Sequence, residues 1–303
     1  MSGELQKLNP PPWHLQMLAA VLRGTQGWPL RDRVAQRLDR RLAEQGWVLE
    51  HESDGLRCHL ELDDTVCRGT YIDDGHEVET GFYLKHLIRP GNRLWDVGAC
   101  HGFVSLRMAQ LAGAAGRVDA FEPVTANRLR MEKNLRLNPD LAARITVHPY
   151  ALSHEAGRVM MQRTSGRNPG ASHIVTEKPA EDKGRERAGV AGTEMVETRA
   201  AEAVWQETGA TMIHGVKIDV EGHELQVLAG MGALVKEQPP RWFLIEVRDT
   251  FLRAAGGSRE EVFAWFAERG YVAQRLVPGR TMVPDMTPRD AAAVLFLYGE
   301  EGK

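Results

Sequence analysis

The sequence predicts an α/β fold in which a seven-stranded, mostly parallel sheet carries helices on both faces, preceded by a helical extension. Three observations carry this. From about residue 90 onward, short apolar runs alternate with amphipathic ones, the rhythm of parallel crossover units. A glycine-bearing turn, Asp96-Val97-Gly98-Ala99-Cys100-His101-Gly102, joins the first run to the helix after it. Residues 1–72 lack that rhythm and are assigned to the extension, leaving 73–303 as the main domain.

Taken in order, Pro10-Pro11-Pro12 makes a stiff entry. Leu15 to Leu22 and Leu30 to Leu49 carry apolar residues at helical spacing, with Val34, Leu38 and Leu42 on one stripe. Arg31, Arg33, Arg37, Arg40 and Arg41 cover much of the remaining surface. These arginines are expected to form a solvated helix face; the alternative is an arm that acts as a lid over the active site or joins two copies as a homodimer. After the Pro90-Gly91 turn come a strand from Arg93 to Val97 and a helix from Phe103 to Leu111. Next follow a strand from Gly116 to Phe121, a helix from Ala126 to Leu137 ended by Asn138-Pro139, and a strand from Ile145 to Leu152. Residues 162–200 are rich in Gly, Glu, Lys and Arg and read as a long mobile insertion. The rhythm resumes with a strand from Met212 to Val220, a helix from His223 to about Val235, and a strand from Trp242 to Val247. Ser258, with Glu261 three residues on, forms a capping box for a helix to Arg269. Tyr271 to Val277 and Ala293 to Tyr298 close the sheet with only a loop between them, so one is expected to run antiparallel at the edge.

Bulk properties narrow the function. The 303 residues are 43% hydrophobic and 26% charged, with a formal charge of −3, which disfavours a protein devoted to nucleic-acid phosphates. No apolar run approaches the ~20 residues of a membrane helix, so no membrane partner is expected. Met1 to Trp13 does not resemble a secretory signal. The 3 cysteines form no Cys-x-x-Cys pair, and the 11 histidines show no ligand spacing. A reducing, cytoplasmic setting and the absence of a dedicated metal site are the corresponding expectations.

The turn after the first strand has Gly-x-x-x-Gly spacing, unlike the Gly-x-Gly-x-x-Gly that wraps a pyrophosphate. A ligand without phosphate, bearing ammonium and sulfonium charges, suits it better, with Asp96 placed to hold an amino group. Glu122 follows Gly98 by 24 residues, where a nucleotide-binding sheet places the carboxylate for ribose hydroxyls. These features point to S-adenosylmethionine. Ala99, Cys100, His101 and Phe103 then line the cofactor through the loop, with Pro123 and Asn127 beside Glu122. Cys100 and His101 are read as loop backbone, since a nucleophilic cysteine would need a partner base.

The fourth predicted strand runs into Val216-Lys217-Ile218-Asp219-Val220-Glu221-Gly222-His223-Glu224. Residues two apart on a strand share a face, so Asp219 and Glu221 both reach one cleft. Asp-Val-Gly-Ala-x-x-Gly, Phe-Glu-Pro, Ala151-Leu152-Ser153 and Lys-Ile-Asp-Val-Glu-Gly-x-Glu together resemble the FkbM-type methyltransferases over roughly residues 75–250. The resemblance implies a class I Rossmann-like methyltransferase (EC 2.1.1 class), commonly O-methylating sugars and secondary metabolites. It implies that Asp96, Gly98 and Gly102 hold the methionine part, Glu122 the ribose, and Ala151-Leu152 the adenine. Asp219, Glu221 and Gly222 would line the transfer cleft. Glu79 matches a glutamate that faces the cofactor, and Asn168 and Ser172 match a stretch that enters the site. The sequence departs from the family at Cys100, usually Asn, and at Arg248, often His. It also has Glu197-Thr198-Arg199-Ala200-Ala201 in place of Thr-Leu-Asp.

If the acceptor is a hydroxyl, a base must take its proton. Asp219, Glu221, His223 and Glu246 are the candidates, in no fixed order, with Asn168, Ser172, Glu221 and Arg248 toward the acceptor. An amine on a peptide or protein is the alternative acceptor.

Overall fold

The computed structural model describes residues 8–25, 29–73, 78–164, 173–175, 190–277 and 281–299. Its N-terminal region holds α1 (Trp13–Arg23), α2 (Arg31–Leu42), the hairpin β1 (Val48–Ser53) and β2 (Leu56–Glu61), and α3 (Thr65–Asp73). Next come α4 (Val78–Leu87), β3 (Arg93–Val97), α5 (Phe103–Ala112), β4 (Arg117–Phe121), α6 (Thr125–Leu137), the short α7 (Pro139–Ala142) and β5 (Ile145–His148). A smaller sheet follows with β6 (Ala151–Ser153), β7 (Gly157–Thr164), β8 (His173–Val175) and β9 (Val190–Ala200). The chain ends with α8 (Ala201–Glu207), β10 (Gly215–Ile218), α9 (Glu224–Gly230), α10 (Gly232–Glu237), β11 (Trp242–Val247), α11 (Asp249–Ala254), α12 (Arg259–Ala267), β12 (Tyr271–Val277), β13 (Thr281–Pro284) and β14 (Ala291–Tyr298).

The main sheet has the order β13-β12-β14-β11-β10-β3-β4-β5, with the run from β11 to β5 parallel and the other pairs antiparallel. The period of two sorts its side chains between two layers. Trp95 and Val97 join Val227, Leu228, Phe263 and Phe266 on one face, while Leu94 and Val118 join Tyr83, Val104 and Met108 on the other. Ser258 caps α12 as its spacing predicts, its hydroxyl accepting the Glu261 N–H at 3.3 Å.

Several expectations are corrected. The main sheet has eight strands, because β13 adds a short hairpin partner to β12. The antiparallel strand beside β11 is not at the edge: β14 lies between β11 and β12. Its run Ala293-Val294-Leu295-Phe296 is buried throughout, as a strand covered on both faces requires. The predicted strand from Ile145 to Leu152 divides into β5 and β6, which join different sheets. The predicted helix from His223 divides at Met231 into α9 and α10.

The 162–200 insertion contains strand on the described residues. β7 and β9 pair antiparallel, and Met161 and Val196 pack with Val124. Charged neighbours such as Glu194 and Glu197 hid this alternation. The N-terminal helix predicted to Leu49 stops at Leu42, and a hairpin follows. Leu38, Leu42, Leu60, Tyr71 and Ile72 bury against Phe103 and Leu106 of α5, so the extension shares a core with the sheet domain. Polar ties reinforce this: Glu61 pairs with Arg130 (2.9 Å) and Lys133 (2.7 Å) of α6, and Asn134 accepts the His59 N–H at 2.7 Å. No helix among the described residues is long and apolar enough to cross a membrane.

Candidate active site

At the carboxyl ends of β3, β4 and β10 a cavity of about 570 Å³ opens, within the usual range for small-molecule sites. Its floor is the turn after β3. Gly98 has φ +81°, and a Cβ there would stand 1.8 Å from the main-chain oxygen of Asp219. Only glycine lets β3 and β10 end this close together. Cys100 also takes a left-handed φ of 48°, and its N–H turns toward Glu122.

Glu122, at the end of β4, is almost fully enclosed. Its Oε2 accepts the Cys100 N–H at 2.8 Å, and Oε1 accepts the Val124 N–H at 2.8 Å and the Asn127 amide at 3.3 Å. Burial nevertheless pushes its carboxyl up to about 7, against those bonds. Cys100 is a protonated thiol, since burial raises it well above its usual value and Glu122 and Asp64 raise it further.

Asp96 does not line the cavity. On β3 it shares a face with Leu94, toward α5, where it accepts a 2.5 Å bond from Ser105 and has no exposed surface. Lys217, its register partner on β10, links it to the cleft. The Lys217 Nζ lies 3.7 Å from Asp96 Oδ1, 3.3 Å from Asp219 Oδ2 and 3.1 Å from the Gly98 carbonyl oxygen. Lys217 was not among the residues expected at the site from the sequence, where it stands only within the motif Val216 to Glu224. The signal was a lysine on β10 one residue before the strand ends and runs into Asp219.

Opposite Glu122 stand three carboxylates, Asp219 and Glu221 after β10 and Glu246 on β11, each offering an oxygen within 4.8 Å of the others. Glu221 has φ 52° and Gly222 φ +105°, a tight turn whose amide Gly222 N–H is accepted by Glu224 at 3.1 Å. Burial pushes Glu221 up to about 8 and Glu246 to about 9, and the charge of Asp219 adds to both shifts. Glu221 Oε2 accepts no hydrogen bond among the described residues. Arg248 reaches Glu246 at 3.2 Å from the rim. His223 bonds Ser153 at 3.1 Å, and burial lowers its imidazole to about 4.

Of the residues singled out from sequence, the cavity wall collects Gly98, Ala99, Cys100, His101, Phe103, Glu122, Pro123, Asn127, Ala151, Leu152, Asp219, Glu221, His223, Glu246 and Arg248. Gly102 opens α5 behind that wall. Glu79 is elsewhere, exposed on α4 and accepting a bond from Tyr83 at 3.3 Å. Asn168 and Ser172 lie outside the described residues. Val66, Met161, Thr250, Phe251 and Asp290 also line the cavity and were missed, coming from segments without motifs.

Residues 96–273 match the family model of the methyltransferase FkbM domain, well over half the chain. The chain belongs to the FkbM methyltransferase family. Like other members it is an S-adenosylmethionine-dependent methyltransferase of the EC 2.1.1 class. Solved structures with a similar fold include the FkbM methyltransferase of Methylobacillus flagellatus KT, at 17% identity and TM-score 0.43, matching 88% of this chain. This chain spans 60% of that protein's length. A SAM-dependent O-methyltransferase of Thermotoga maritima matches at 13% identity over 85% of this chain and 79% of its own, with TM-score 0.41. Cofactor-bound Rv0187 from MTB matches at 14% identity over 98% of this chain and 100% of its own, with TM-score 0.43. No curated protein matches the chain.

The cavity fits the family's cofactor on its own chemistry. Glu122 keeps one lone-pair site, on Oε2, beyond its three protein bonds, enough to accept a hydroxyl, and Phe121, Val124, Ala151 and Leu152 add apolar surface beside it that suits a purine.

Proposed function

We propose that this FkbM-family enzyme methylates a hydroxyl of a small secondary metabolite or sugar, with the carboxylates at the ends of β10 and β11 taking the proton. S-adenosylmethionine, when bound, supplies a methyl group already activated by its sulfonium. Glu122 accepts the ribose hydroxyls, the turn from Gly98 to Cys100 carries the methionine part, and Ala151 and Leu152 lie against the adenine. Asp96 acts at one remove, by holding Lys217 and through it the Gly98 carbonyl. The N-terminal region walls the cofactor end of the cleft through Val66. Arg248 is assigned to the acceptor side.

The observation that carries the reading is the raised pair Glu221 and Glu246 beside Asp219, inside the same cavity. A neutral alcohol is a weak nucleophile, and general-base help contributes roughly 10²–10⁴ in rate. A carboxylate raised toward 8 or 9 is a far better match to that proton than His223, whose value near 4 makes it a poor acceptor. The base acts in its ionised form, which a raised value makes scarce at neutral pH. Turnover is therefore expected to climb with pH and level off above about 9.

The test is transfer of labelled methyl to pools of hydroxylated small molecules and of peptides. Label in a hydroxylated acceptor, with Glu246→Gln keeping cofactor affinity but losing ~100-fold in turnover, supports the reading. Label on a peptide amine instead would move the acceptor to nitrogen. Full turnover by Glu246→Gln would remove Glu246 as the base.

A further inference from the structure

Beneath the cofactor turn, apart from the carboxylate cluster, three side chains from two distant stretches meet in the interior. Asp64 precedes α3, Cys67 sits on its first turn, and His101 belongs to the turn after β3. Their exposures are 0%, 1% and 1%. Asp64 caps α3, its Oδ1 accepting the N–H groups of Val66 at 2.7 Å and Cys67 at 3.1 Å. Its Oδ2 accepts no hydrogen bond among the described residues and lies 3.4 Å from His101 Nε2. Cys67 Sγ lies 3.8 Å from Nδ1 of the same ring. One carboxylate oxygen, the sulfur and one ring nitrogen lie within 4.8 Å of one another.

We propose that Asp64, Cys67 and His101 form a zinc(II) site that staples the N-terminal region to the cofactor turn. Sulfur, imidazole and carboxylate together are a zinc donor set, whereas magnesium and calcium take oxygen. Zinc bonds of roughly 2.0–2.3 Å keep tetrahedral neighbours roughly 3.3–3.8 Å apart, so three donor atoms that now lie within 4.8 Å of one another need to draw in by up to about 1.5 Å. Charge also balances. On binding, the Cys67 thiol loses its proton to solvent as the Zn–S bond forms, and thiolate plus Asp64 carboxylate neutralise the dication. A neutral cluster is what a buried position tolerates. The ion would also satisfy Asp64 Oδ2. His101 and Val66 both line the cavity, so water from the cleft can fill the fourth position.

The full-length protein is stripped with chelator, loaded with Zn²⁺ at neutral pH, desalted and assayed for metal, and Co²⁺ is titrated in parallel. Wild type retains stoichiometric zinc, which raises its thermal midpoint, and Co²⁺ produces a thiolate-to-metal absorption band. Cys67→Ser loses the zinc, the band and the thermal shift. Asp64→Asn weakens zinc retention at least tenfold, which keeps the test intact if Cys67→Ser folds poorly. Cys58→Ser and Glu246→Gln keep zinc and band, which separates this site from the carboxylate cluster. No retained zinc in wild type overturns the assignment, as does retention that Cys67→Ser and Asp64→Asn leave unchanged.

Discussion

Glu122 concentrates the cofactor question in one side chain. Three protein donors favour its ionised form, yet burial wins and its carboxyl is pushed up to about 7. A ribose diol donates hydrogen bonds, so it selects the carboxylate over the acid. The sign follows: below about 7 Glu122 is protonated and must give up that proton to bind, so affinity falls as pH drops. Calorimetry should find S-adenosylmethionine binding weaker at pH 6 than at pH 8. Glu122→Gln should lose roughly 10- to 100-fold in affinity, as expected for charge-assisted bonds worth about 1.5–3 kcal/mol, and with it the pH dependence. Equal affinity in Glu122→Gln would take the ribose away from this residue. Asp96 teaches the complementary lesson. Its place at a strand end suggested contact with an amino group, direct or through a bridging water, but its neighbour in period two is Leu94, so its carboxyl turns to α5 and lies beside Lys217.

At the scale of elements, the cleft exists because two strand ends almost touch. Gly98 lies against the Asp219 carbonyl with φ +81°, and a side chain there meets both a backbone clash and a left-handed penalty. Gly98→Ala is expected to destabilise by roughly 2–5 kcal/mol from those two causes, read as a lower denaturant midpoint together with lost cofactor binding. An unchanged midpoint would mean that β3 and β10 stand further apart. This junction was legible in the sequence, because strands and turns of a parallel sheet are dictated by local apolar runs and glycine spacing. That Asp219 and Glu221 reach the cleft was also legible, but not by the period of a strand: both follow β10, and Glu221 sits in a left-handed turn. The hairpin over Val48–Glu61 and the β7–β9 ladder were not. Their strands stabilise one another across the chain, through pairs such as Leu49 with Leu60 and Val159 with Val196, and no local period announces that. The Asp64–Cys67–His101 meeting was hidden likewise, since its members are brought together only by tertiary packing of the N-terminal region, which shares a core with Phe103 and Leu106.

For the molecule as a whole, the fold raises four acids, three lining the cleft and Glu224 at the start of α9. Burial raises Glu122 and Glu224 to about 7, Glu221 to about 8 and Glu246 to about 9, all from an ordinary 4.5. Between those limits the folded chain binds more protons than the unfolded one, so its stability falls as pH rises. The contribution of each acid is complete below about 4.5 and is lost as pH passes its folded value. His223 opposes this at the acid end, because its lowered value near 4 makes folding less favourable as pH drops below 6.5. Paired surface acids such as Asp285, held near 2 by Thr287 and Arg275, withdraw their support at still lower pH. The cofactor-free protein should therefore be most stable on the mildly acidic side and lose several degrees of thermal midpoint between pH 6 and pH 9. Glu246→Gln removes the group that must ionise last, so its midpoint should fall less steeply, and the gap to wild type should widen in its favour with each step above pH 7. A wild-type midpoint that is flat from pH 6 to pH 9 would mean that these carboxyls reach solvent in the folded chain. The case for a proton-accepting cluster in the cleft would then fail with it.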